Sequence, residues 1–298
     1  MFSSFLKFIL FLFTRPLALY MIYPGSVGFL MKDALKDAET LEISLVKKGG
    51  ESVLLTTRDK RKIEAMYFPN RKWQESQNSS HPTVLLCLGN RMLFQQASRY
   101  VEFYLAYGLN VIAFNYGGYG KSEGKPSTES TFEDIETVYQ YIKTKKNISD
   151  EHILVHGLSL GGGPASYLAS KYPIHLLLDK TFSKIGQASK IRLLGIIADY
   201  LYPYDNASRI KNIKGRIHII EALEDEIIHT KNTETLFKEI IVNRHPKAND
   251  FEIKKLQKKY ITRIQGSHKT CILSEKYHNT PPQEHFIEEV VLPMTRKK

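Results

Sequence analysis

Residues 156–173 read HGLSLGGGPASYLASKYP. A serine stands between two glycines, the run Ile153–His156 before it is apolar and strand-like, and Gly163–Lys171 after it reads as a helix. G-x-S-x-G alone decides little, since average usage yields it in roughly one chain in ten of this length. The flanks carry the reading. A strand that runs into the tight turn Gly157-Leu-Ser-Leu-Gly161 and leaves at once as a helix is a nucleophile elbow. A side chain at either glycine would crowd the following helix or the neighbouring strand. No phosphate-loop lysine follows. Ser159 is therefore the expected nucleophile, with the backbone N–H of Leu160 as one oxyanion donor, and the helix N-terminus favours developing negative charge.

Outward from the elbow, strands and helices alternate. Ser52–Asp59 and Arg61–Phe68 form a hairpin pattern, and Arg71–Pro82 is a polar loop. Wholly apolar short runs at Thr83–Leu88, Asn110–Asn115, Ile153–His156, His175–Asp179 and Ile217–Glu221 are separated by helical spacing at Ala97–Tyr107, Thr131–Lys143 and Gly163–Lys171. Ala34–Ser44 reads as a short helix or connector. This rhythm predicts an α/β fold with a mostly parallel central sheet covered by helices on both faces, and a site at the carboxyl ends of the strands.

A nucleophilic serine needs a base, and the base needs an orienting carboxylate, in the chain order Ser, acid, His for this architecture. Asp225 lies just past the end of the Ile217–Glu221 strand. Glu224 and Glu226 beside it, and Asp179 at an earlier strand end, are the rival acids. Of the later histidines, His229 sits too near Asp225 to occupy a separate loop, His245 precedes a proline in a polar stretch, and His278 and His285 lie in a polar tail. His268 follows the strand-like run Lys259–Ile264 and the turn Gln265-Gly266-Ser267, which puts it on a loop after the last strand. The second oxyanion donor is expected from the loop after Thr83–Leu88, first the backbone N–H of Asn90 and next that of Arg91.

The two cysteines, Cys87 and Cys271, both fall in apolar, strand-like runs and suggest neither a disulfide framework nor a zinc site. No cofactor or metal is implied. The formal net charge is +11, but the basic residues are scattered, apart from Lys254–Lys259 and Arg296–Lys298. No nucleic-acid motif accompanies them, so the charge reads as solvated surface with some attraction to anionic membrane. Residues 2–31 carry only Lys7 and Arg15 as charges before Lys32, yet Arg15-Pro16 and Pro24-Gly25 interrupt them. A clean spanning helix wants ~20 uninterrupted apolar residues. The segment suits an interfacial or short anchor better than a signal peptide. The expected organisation is an apolar segment at 1–45, membrane-associated or else packed on the enzyme's own surface, and one domain at 46–298, in which 183–204 is a small helical lid or else an amphipathic helix packed on the sheet.

Five stretches together resemble the α/β-hydrolase superfamily: LGN at 88–90, NYGGYGKSEGKPS at 115–127, HGLSLGG at 156–162, DNASRIKNIKGRIHIIEALEDEIIH at 205–229 and QGSHK at 265–269. The resemblance is to Bem-like membrane-associated serine hydrolases, which are similar to acyl-protein thioesterases and monoacylglycerol lipases, and to bacterial CHLPS-type hydrolases. It implies Ser159, Asp225 and His268 as a triad, Asn90 and Leu160 as oxyanion donors, and an acyl ester or thioester as substrate. The expected location is a membrane surface, with the hydrolase domain on the cytoplasmic side. The chain departs from the family pattern at Leu88, where a histidine is usual, and at Glu221-Ala-Leu223, where HGT is usual. Two other readings stay open: an amidase or peptidase using the same triad, and a catalytically silent, membrane-bound interaction protein.

Overall fold

The computed structural model describes Tyr23 and residues 32–70, 81–189, 192–274 and 277–295. The apolar segment 2–31, Tyr23 excepted, the loop at 71–80 and the basic end 296–298 lie outside the described residues.

Eight strands form one sheet: β1 Glu51–Thr56, β2 Lys62–Phe68, β3 Thr83–Cys87, β4 Asn110–Phe114, β5 Ile153–Leu158, β6 His175–Asp179, β7 Ile217–Ala222 and β8 Ile261–Ile264. Their order is β1-β2-β4-β3-β5-β6-β7-β8. β1, β2 and β4 pair antiparallel, and every neighbour from β4 to β8 is parallel. The uniformly apolar strands are explained by a period of two with both faces covered. Leu85, Cys87, Val155 and Leu178 point into one core, while Val84, Leu86, Leu154 and Leu177 point into the other.

The first core is closed by α3 (Thr128–Lys145), α4 (Gly162–Lys171) and α7 (Lys231–Arg244). The second is closed by α1 (Lys32–Lys47), α2 (Ser98–Ala106) and a helical run at the C-terminal end. That run comprises α9 (Pro281–Phe286), a π-helical turn at Ile287–Val291 and α10 (Leu292–Thr295). Between β6 and β7 lie α5 (Arg192–Leu201) and the short α6 (Asn206–Arg209).

Several expectations need correcting. α3 begins at Thr128 rather than Thr131, because the Ser127 hydroxyl accepts from Ser130 N–H at 3.0 Å and caps the helix earlier. The lysine-bearing stretch before β8 is a helix, α8 (Asp250–Tyr260), opened by a reciprocal cap between Asn249 and Glu252. The tail is not merely polar: Phe286, Val290, Val291 and Met294 are buried in the second core. His285 is partly buried there and hydrogen-bonds Thr262 Oγ1 at 2.7 Å, whereas His278 is exposed. Cys271 lies in a turn after β8, not in a strand, while Cys87 ends β3 fully buried.

Candidate active site

The turn after β5 shows why glycine stands on both sides of Ser159. A Cβ on Gly157 would lie 2.6 Å from the carbonyl oxygen of Gly161, and a Cβ on Gly161 would lie 2.1 Å from that of Cys87 in β3. Ser159 itself has φ +50°, a left-handed conformation that costs a non-glycine residue on the order of 1–3 kcal/mol. Such strain persists where surrounding contacts hold it, and here Thr181 Oγ1–H donates to the Ser159 carbonyl at 2.6 Å.

Two further loops converge on that serine. Its Oγ–H donates to His268 Nε2 at 2.9 Å, and His268 Nδ1–H donates to Asp225 Oδ2 at 2.7 Å. His268 comes from the loop after β8 and Asp225 from the loop after β7. Asp225 Oδ1 accepts the backbone N–H groups of Ile227 and Ile228 at 2.9 and 2.7 Å. Both carboxylate oxygens are thereby used, one to fix the loop and one to hold the imidazole. The Asp225 side chain is only 2% exposed and that of His268 13%.

The rival acids are placed elsewhere. Glu226 accepts the His268 backbone N–H at 3.1 Å rather than its ring, and Glu224 is exposed. Asp179 is buried with Lys180 and His156, whose Nε2–H donates to it at 3.2 Å, and Tyr104 O–H donates to the other ring nitrogen at 2.9 Å. Burial works to raise the Asp179 pKa, but the Lys180 charge and the His156 hydrogen bond outweigh it and hold it below the usual carboxylate value. His229 is exposed, and His245 hydrogen-bonds Tyr260 at 2.9 Å.

Asn90 and Arg91 border the same cavity as Ser159 and His268. Two tyrosines from the glycine-rich turn after β4 hold the Asn90 loop: Tyr116 O–H donates to the Leu88 carbonyl at 3.0 Å, and Tyr119 O–H to Asn90 Oδ1 at 3.1 Å. This supporting pair was not singled out from the sequence. The signal available was the NYGGYG run itself, in which Gly118 and Gly120 take positive φ and both tyrosines turn inward. Leu160, directly after Ser159, opens the path into α4.

The cavity has a volume of about 880 Å³ and is mostly apolar. This is toward the upper end of the ~300–1,000 Å³ usual for small-molecule sites. Met92, Tyr100, Phe182, Ile185, Leu194 and Ile197 line it, with Ser159 and His268 at one side.

The family model described as alpha/beta hydrolase fold matches residues 82–177. An alpha-beta hydrolase from Vibrio vulnificus superposes with a TM-score of 0.63 at 20% identity, covering 86% of this chain and 85% of that one. An esterase of Pyrococcus furiosus superposes at 0.59 with 17% identity, covering 80% and 89%. The chain has the α/β-hydrolase fold. Among curated relatives, alpha/beta hydrolase domain-containing protein 17B of Xenopus tropicalis is 28% identical over 64% of this chain and 64% of its own length. The human protein 17C is 28% identical over 50% of this chain and 46% of its own. The matches thus span about half to two thirds of these relatives.

Within this α/β-hydrolase fold the two departures from the usual pattern have plain structural accounts. Leu88 is 1% exposed and packs in the second core, where a histidine would need a polar partner. Glu221 is buried and accepts Arg263 Nε–H at 2.7 Å across the β7–β8 pair, so that position ties the strand ends beneath the acid loop.

Proposed function

We propose that this protein is a serine hydrolase that cleaves acyl esters or thioesters, of a lipid or an acylated protein, through an acyl-enzyme on Ser159. The single observation that carries the reading is the Ser159–His268–Asp225 hydrogen-bonded series opening on a mostly apolar cavity. His268 Nε2 takes the Ser159 proton as Oγ attacks the acyl carbonyl. Asp225 keeps the imidazole in the tautomer with its free nitrogen toward the serine and stabilises the imidazolium. The Asn90 and Leu160 N–H groups receive the oxyanion. The tetrahedral intermediate collapses as His268 gives its proton to the departing alkoxide or thiolate. Water, deprotonated by the same imidazole, then attacks the acyl-serine, and collapse returns the proton to Oγ and releases the acid. These steps require only the side chains named, two backbone donors and water.

The cavity favours an acyl chain over a peptide: its wall offers Phe182, Ile185, Leu194 and Ile197, and few polar groups to pair with amides. Within region 183–204 the inner side of α5, with Leu194, Ile197 and Ala198, acts as the lid over the acyl chain, and the apolar segment 2–31 ahead of α1 holds the enzyme at the cytoplasmic face of a membrane. That location is supported by the apolar, interrupted N-terminal sequence and the +11 charge. Among the described residues no helix is long and apolar enough to cross a membrane. The test is a panel of esters, thioesters and amides matched in acyl length. The expected result is kcat/KM that rises with chain length for esters and thioesters and stays low for amides. Preference for the amides would favour the peptidase reading, and inertness toward all three classes with the protein folded would favour the silent one.

A further inference from the structure

We propose that the outward face of α5 docks on a lipid bilayer, so that the cavity mouth opens against the membrane and an acyl chain enters directly from it. This rests on the hydrolase reading for its purpose but not for its geometry. α5 is apolar on two sides. Leu194, Ile197 and Ala198 line the cavity. Leu193, Ile196 and Tyr200, on the other side, are 63%, 58% and 76% exposed. Their spacing of three and four residues puts them in one stripe. Across the mouth, on the loop that carries Asp225, Leu223 and Ile227 are exposed as well. Soluble surfaces rarely gather large apolar side chains around an opening without a partner for them.

The occupant follows from where the N-terminal segment meets the domain. Tyr23 is fully buried, its hydroxyl is 2.5 Å from that of Tyr204, and its ring stands edge-on to Tyr202 at 5.3 Å between centroids. Tyr202 directly follows the last residue of α5. Tyr23 therefore packs at the foot of this helix, and the 22 residues that precede it in sequence carry only Lys7 and Arg15 as charges. Tyr23, the residue that follows this Phe-, Leu- and Ile-rich sequence, is thus anchored next to the exposed apolar helix. Exposed Arg192 opens α5 and exposed Lys269 lines the cavity, and both suit anionic headgroups. α5 is also tied down: Asp199 Oδ1 accepts the Gly186 N–H at 2.7 Å, and Gly195 packs against the Gly186 carbonyl. The helix is held to the preceding turn while its apolar stripe faces out.

The test uses the full chain with vesicles of mixed phosphatidylcholine and phosphatidylserine. Radical footprinting, which needs no turnover, should show Leu193, Ile196 and Tyr200 protected by vesicles. A second arm compares the wild type with Leu193→Gln/Ile196→Gln/Tyr200→Gln, none of which lines the cavity. The variant should hydrolyse a short soluble ester within twofold of wild type and lose about tenfold or more on a long-chain ester embedded in the vesicles. Equal footprints with and without vesicles would overturn the proposal. So would an unchanged ratio of embedded to soluble turnover, or a wild-type dimer in ultracentrifugation that the variant dissolves, since a second copy would then cover the face. If the wild type protects α5 on vesicles yet hydrolyses no ester, the hydrolase reading fails and the docking stands.

Discussion

At the residue scale, the separation of Asp225 from its neighbours is the sharpest point. Three acids occupy positions 224–226, and only Asp225 accepts the His268 ring while its second oxygen is consumed by two backbone amides. Replacement by Asn keeps the shape but offers an amide where a carboxylate held the tautomer. Asp225→Asn should lower kcat on the order of 10,000-fold with little change in melting temperature. An equal loss in Glu224→Gln, with Asp225→Asn active, would move the acid. Ser159, His268 and Asp225 were legible because each sits just beyond a strand end, and strand ends are marked by apolar runs that stop abruptly. The His156–Asp179–Lys180 cluster was not legible, because burial of a strand-end lysine depends on what packs over it.

At the element scale, the turn between β5 and α4 leaves no room for a side chain at either flanking glycine. Any side chain at Gly161 must displace the Cys87 and Leu88 carbonyls of the neighbouring strand. Gly161→Ala should destabilise the fold by about 1–3 kcal/mol or more, read as a lower denaturation midpoint at unchanged slope, and should also displace Ser159 and cut activity. A variant as stable and active as wild type would contradict the packing described. The core strands could be read from sequence because a sheet covered on both faces demands continuous apolar runs. α8 and the C-terminal helices escaped that reading for a different reason. Phe286, Val290, Val291 and Met294 do follow helical spacing, but Glu and His between them lower the local hydropathy. The Asn249–Glu252 cap was likewise visible as N-D-F-E before a lysine-rich stretch. The apolar run of α5 could be read as a lid or as a helix packed on the sheet, but an apolar stripe on each side does not say which one faces the cavity.

At the scale of the whole molecule, acid stability depends on histidines far from the site. His218 is buried between β7 and β8, hydrogen-bonded to Thr262 at 2.8 Å. Burial first, and the neighbouring His285 imidazole second, push its pKa down from 6.5 to about 3. His175, at the start of β6, is lowered to about 4 by burial and by Arg216. A depressed histidine pKa means that the unfolded chain takes up the proton first. The resulting stability is present in full above pH 6.5 and is lost as pH falls from 6.5 toward 3. The melting temperature should therefore drop through that window, and His218→Asn should flatten the drop. A slope unchanged in the variant would show that His218 is not the group responsible.

The central claim is that Ser159 is the nucleophile, activated by His268. Its most direct measurement is labelling with a fluorophosphonate probe, followed by peptide mass spectrometry of wild type and Ser159→Ala. One adduct is expected, on Ser159, absent from the variant and strongly slowed in Asp225→Asn. Equal labelling of wild type and Ser159→Ala, or an adduct on another residue of the folded protein, would contradict it.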